Sequence, residues 1–91
     1  MQRWSPEIIR YLYTAADHSR YYQDLARQLG AFLRPEDRVC DAGCGLGLLS
    51  RALLPYCAHV TAVDRSPAAV AALRARGEDP KLSALTGDIR E

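Results

Sequence analysis

No apolar run in the chain approaches the ~20 residues of a spanning helix, and the N-terminus MQRWSPEIIR has no signal-like apolar stretch. The expected location is the cytoplasm. Neither sign of charge is in excess: 12 Lys and Arg stand against 11 Asp and Glu, a formal net charge of +1, with basic and acidic residues interspersed. That removes the electrostatic reason to expect nucleic acid or an anionic membrane as partner. Cysteine is scarce and odd in number (Cys40, Cys44 and Cys57), and His18 and His59 lie far apart in sequence. No second Cys/His cluster completes a zinc ligand set, so no metal is expected and the thiols read as packed or loop residues. There is no internal repeat, low-complexity stretch or linker, and 91 residues suffice for one small domain.

What is present falls into two textures. Ser5, Pro6 and Glu7 give a capping hydroxyl, a proline at the first helical position and an acid in the first turn, which predicts a helix from about Pro6 to Asp17. Ser19 can cap a second helix, in which Tyr22, Leu25, Ala26, Leu29, Phe32 and Leu33 keep helical spacing until Pro35. Beyond it, RVCDAG reads as a strand, LGLLSRALL as a helix stopped by Pro55, and HVTAVD as a β-branched strand ending in an acid. Ser66 and Pro67 then open a helix through AAVAALRAR that Gly77 closes, and LSALTGD is a third strand. Strand and helix alternate as β-α-β-α-β, the pattern of parallel strands joined by right-handed crossovers. The strands are nearly continuous in apolar and small residues, which predicts helices on both faces of the sheet.

The turn after the first strand, CDAGCGLG, carries Gly43, Gly45 and Gly47 on alternate positions with Asp41 just ahead. Two ligand classes use such a turn. A dinucleotide takes G-x-G-x-x-G, in which the third glycine admits close helix packing and the helix N-terminus meets the pyrophosphate. Counted from Gly43, that glycine would be residue 48, which is Leu48. A carboxylate at Asp41 would also repel a pyrophosphate, whereas it suits a ligand that presents an ammonium group there.

The string VCDAGCGLG resembles the D/E-x-G-x-G-x-G first motif of class I S-adenosylmethionine-dependent methyltransferases. VTAVDRS is similar to the second strand of that family, and LSALTGDI to its third, so the resemblance runs from about Arg38 to Glu91. It implies an α/β, Rossmann-like partial parallel sheet of three strands in the order 3-2-1, with helical crossovers and two N-terminal helices. It also implies S-adenosylmethionine as cofactor. Asp41 would face the methionine ammonium, and Gly43, Gly45 and Gly47 would let the backbone approach the methionine and ribose. Asp64 would accept from both ribose hydroxyls, and Arg65 would lie along the adenine face. Asp88 would accept from the adenine amine, while the Ile89 amide donates to a ring nitrogen. One of Tyr21 or Tyr22 could meet the methionine carboxylate, but packing is the simpler role for both.

The family sheet has about seven strands, whereas the sequence reads only to the third. The expected organisation is therefore one domain over residues 1–91, truncated, with N-terminal helices in 1–34 and the first half of the fold in 35–91. No catalytic residue and no methyl acceptor can be named. Two rival readings stay open. One is the NAD-binding half of a dehydrogenase. The other is a non-catalytic module in which the open edge of the first strand pairs with a second copy; a homodimer of the fragment is expected on the same ground.

Overall fold

The computed structural model describes residues 5–17 and 19–88. Its first helix, α1 (Pro6–Asp17), starts where the capping signals lie: the Ser5 hydroxyl accepts from the Ile8 amide at 3.2 Å and its carbonyl from the Ile9 amide at 2.9 Å. Helix α2 (Tyr21–Gly30) follows, with the Ser19 hydroxyl accepting from the Tyr21 amide at 3.1 Å. It stops well before Pro35, the expected terminator. A Cβ at Gly30 would stand 2.6 Å from the Tyr56 ring, so the last residue of α2 must lack a side chain, and Leu33 N–H closes a tighter turn onto the Gly30 carbonyl at 3.1 Å. Phe32, expected on the helical face, is 87% exposed.

Strand β1 (Arg38–Ala42), helix α3 (Leu48–Leu53), strand β2 (His59–Asp64), helix α4 (Pro67–Ala75) and strand β3 (Leu82–Thr86) complete the chain. Pro55 does not abut α3; it sits inside a single 3₁₀ turn, Leu54–Tyr56. Ser66 caps α4 by accepting from the Ala69 amide at 3.3 Å, with Pro67 in the first turn. The strands form one parallel sheet in the order β1-β2-β3, with Val39 beside Val60 and Val60 beside Leu82.

The sheet corrects one expectation: the described helices cover one face and not both. On the covered face, Val60 joins Ala26 of α2, Leu53 of α3 and Cys57 in a buried cluster, with Val39 and Leu82 packed against it. Helix α1 reaches the same side of the molecule, where Tyr13 packs with Leu46 and with Ala69 of α4. The alternate residues tell the opposite story, since Arg38, Cys40 and Ala42 are exposed and Leu85 is 50% exposed. Two right-handed crossovers that step in the same direction along a sheet must lie on the same side of it. Among the described residues strand β1 is also an edge, carrying β2 on one side only.

Candidate functional site

The carboxyl ends of the three strands meet in one layer, with Ala42 beside Val63 and Asp64 beside Thr86. The chain leaves β1 through the glycine turn, and the Val63 carbonyl anchors that turn by accepting from the Gly43 amide at 2.7 Å and the Cys44 amide at 3.0 Å. The Gly47 amide then closes it onto the Cys44 carbonyl at 3.0 Å, and α3 begins. Gly43, Gly45 and Gly47 have φ of +72°, +56° and +75°, a region that costs an L-residue roughly 1–2 kcal/mol.

The glycines are not equivalent. A Cβ on Gly43 would meet nothing within 4 Å, so this end of the turn faces open space. Gly47 does not. It is buried, and a Cβ there would lie 2.4 Å from Leu73 Cδ1 of α4. Its missing side chain serves the packing of the turn on α4.

Both carboxylates have structural partners. The buried Ser50 hydroxyl of α3 donates to Asp41 Oδ2 at 2.6 Å. Asp64 Oδ2 accepts from the Gly45 amide at 2.8 Å and Oδ1 from the Ser66 amide at 2.9 Å, so Asp64 joins the glycine turn to the start of α4. A carboxylate has about four acceptor positions, so each retains capacity for a ligand. Cys44 lies between the two: burial first, then the charges of Asp41 and Asp64, push its thiol up to about 11. It is protonated at neutral pH and is no nucleophile.

A cavity of about 360 Å³ opens beside the turn, lined by Asp41, Gly43, Cys44, Gly45 and Leu46, by Leu48 and Leu49 of α3, and by Leu12 and Tyr22 of the leading helices. That falls in the size range of small-molecule sites. Tyr22 is the residue that sequence reasoning left aside; its ring meets Tyr21 edge-on at 5.0 Å, and only Tyr22 lines the cavity. Tyr13 was also missed. Its buried hydroxyl donates to the Leu46 carbonyl at 3.0 Å, tying α1 to the glycine turn, while the Arg76 guanidinium stands 4.1 Å from its ring centroid. Burial raises the Tyr13 pKa, while Arg76 and Arg51 oppose the rise.

Of the other expected site residues, Arg65 is exposed one position beyond Asp64. Asp88 is half-buried, next to Gly87, whose amide donates to the Asp64 carbonyl at 2.9 Å. Ile89 lies outside the described residues. Among the described residues no cluster of His, Cys, Asp and Glu could hold a metal ion, and no helix is long and apolar enough to cross a membrane.

Known proteins share this arrangement. A ubiquinone biosynthesis O-methyltransferase of Xylella fastidiosa is 52% identical over 40 residues, 44% of this chain and 16% of that protein. A ribosomal RNA small subunit methyltransferase A of Syntrophotalea carbinolica is 50% identical over 60 residues, 64% of this chain and 22% of that protein. The chain thus spans less than a quarter of the length of either curated relative. The solved structure of a SAM-bound amino pentose methyltransferase from Micromonospora echinaspora has the same fold, with a TM-score of 0.71 at 23% identity, over 100% of this chain and 39% of that one. Residues 39–91 match the family described as a methyltransferase domain, and this span, with the glycine turn and both strand-end carboxylates inside it, is more than half of the sequence. The chain belongs to that methyltransferase domain family.

Proposed function

We propose that the chain is the S-adenosylmethionine-binding part of a methyltransferase. The observation that carries this reading is the Asp41 carboxylate in the wall of a cavity whose other wall is the glycine turn, open at Gly43. An anionic wall suits the ammonium of the cofactor and opposes a pyrophosphate. Leu48 supports the same choice, because a half-buried leucine stands at the first position of α3, where a dinucleotide fold has glycine.

In this reading Asp41 receives the ammonium, with Ser50 fixing the carboxylate, and the Gly43–Gly45 backbone lies along the ligand. Asp64 receives ribose hydroxyls with the acceptor positions its two amide bonds leave. Arg65, Asp88 and Ile89 border the adenine. When bound, the sulfonium supplies an already activated methyl group, so the residues here bind, orient and exclude water. No general base and no methyl acceptor is assigned. Helices α1 and α2 act as a cover over the donor, since Leu12 and Tyr22 line the cavity. A cytoplasmic setting accords with three unpaired cysteines.

Calorimetric titration tests the assignment: S-adenosylmethionine binds and NAD does not. Asp41→Asn keeps an acceptor for Ser50 but removes the charge, and weakens the S-adenosylmethionine complex by at least about tenfold, as expected of a charge-assisted contact. Unchanged affinity in that variant, or tighter binding of NAD, sinks the reading.

A second reading rests on the unpaired edge of β1 and the open face beside it. An isolated copy of residues 1–91 pairs with another through that edge. Sedimentation at micromolar concentration checks this, and a monomer at all concentrations removes it.

A further inference from the structure

The glycine turn is held from two directions. Toward the sheet, the Gly43 and Cys44 amides donate to the Val63 carbonyl and the Gly45 amide to the Asp64 carboxylate, so β2 fixes the first half of the turn. Leu46, between Gly45 and Gly47, is held from the other side: its carbonyl accepts from the Tyr13 hydroxyl of α1 at 3.0 Å, across 33 positions of sequence. That bond is buried.

Tyr13 anchors its helix. Among the described side chains of α1 it alone is buried, whereas Ile8 and Tyr11 are 40% and 72% exposed. It packs with Leu46 and Ala69, and the half-buried Ile9 and Leu12 of its own helix pack against the same cluster. Burial raises the phenol above its ordinary pKa, so at neutral pH it carries the proton that the carbonyl accepts.

The bond also borders the donor cavity. Leu46 lines that cavity together with Gly45, and Leu12, the residue before Tyr13, lines it from the α1 side. One hydroxyl thus connects the seating of α1 to the shape of the backbone along the ligand. A turn already held in its bound shape spares a ligand the cost of ordering it, and affinity falls in proportion when only a fraction of molecules hold that shape.

We propose that Tyr13 is a positioning residue for the methyl donor: by holding the Leu46 carbonyl it keeps the backbone of residues 45–47 in its binding shape and seats α1 over the cavity. This role rests on the reading of that cavity as the S-adenosylmethionine site. Coupling of this kind is reciprocal, so the donor steadies α1 as much as α1 steadies the donor.

Tyr13→Phe in the full chain tests the role, because it keeps the ring, its packing and the Arg76 guanidinium over its face, and removes only the hydroxyl. Calorimetric titration is expected to show S-adenosylmethionine bound about threefold to tenfold more weakly, the range that one neutral hydrogen bond can carry. Tyr11→Phe, on the exposed side of the same helix, binds as the parent does. Amide hydrogen exchange gives a readout that packing alone would not move: saturating donor slows exchange over residues 9–14 in the parent, and that protection is lost in Tyr13→Phe at equal saturation. The parent measurement needs no variant, so a donor that leaves exchange in α1 unchanged overturns the proposal even where Tyr13→Phe fails to fold. Equal affinity in Tyr13→Phe and the parent overturns it as well and leaves the donor reading standing. A parent that binds no S-adenosylmethionine removes both, and that outcome is seen before any variant is made.

Discussion

Gly43 and Gly47 open and close the same turn, with φ values three degrees apart, +72° and +75°, yet they face different surroundings. At Gly43 the space is open; at Gly47 it is filled by Leu73. The same contrast runs through the carboxylates that flank the turn. Asp41 lines the cavity and is steadied by one buried hydroxyl, whereas Asp64 is bound through both oxygens to main-chain amides and acts as a tie. One glycine signature therefore encodes two requirements, access on its outer side and close packing on its inner side.

The sharpest break of this contrast is Gly47→Ala. A left-handed φ and a methyl group 2.4 Å from Leu73 together are expected to cost about 2–5 kcal/mol, read as a lowered urea midpoint. The double variant with Leu73→Ala should lose less than the two single variants added together, because the clash disappears while the φ cost stays. Gly43→Ala pays only the backbone cost of about 1–2 kcal/mol, and its larger consequence should be in S-adenosylmethionine affinity. Equal stability losses for the two alanines would show that the turn has no inner and outer side. Ser50→Ala removes the donor to Asp41 and is expected to cost about 1 kcal/mol, since water can replace a bond to a half-exposed carboxylate.

A pH slope is expected at Cys44. Its thiol titrates at about 11 in the folded chain, above an unfolded thiol near about 8.5. The folded state therefore holds the proton more tightly in that interval. The associated stability is complete below the lower value and is lost as pH rises through the upper one. Urea denaturation between those pH values should show the decline in the parent and a shallower one in Cys44→Ala.

Much of this arrangement could be read from residues close in sequence. The capping of α1 by Ser5 and of α4 by Ser66, the bounds of β2, and the glycine turn all rest on local chemistry, and the structure has them as expected. What could not be read depends on distant contacts. The close approach at Gly30 at the end of α2 is to the Tyr56 ring, a partner 26 positions away that no local pattern announces. At Gly47 sequence spacing says that a Cβ is absent, not that Leu73 occupies its place. The one-sided cover of the sheet was legible in principle from strand order and crossover handedness; the apolar character of the strands pointed the other way, because exposed Arg38, Cys40 and Ala42 alternate with half-buried positions too briefly to register as a pattern.

The parallel register has a consequence in time. The residues paired across β1 and β2, and those across β2 and β3, are each separated by roughly twenty positions, so the two crossovers carry nearly the same loop-closure entropy. Neither strand pair has a topological head start during folding, and side-chain contacts decide which forms first. Comparable φ-values for Val39→Ala and Leu82→Ala would report this symmetry, and values near one and zero would remove it. Gly45 meets the Asp64 carboxylate only when the first crossover closes. The turn is therefore shaped by the arrival of the second strand, and the site matures as the sheet does.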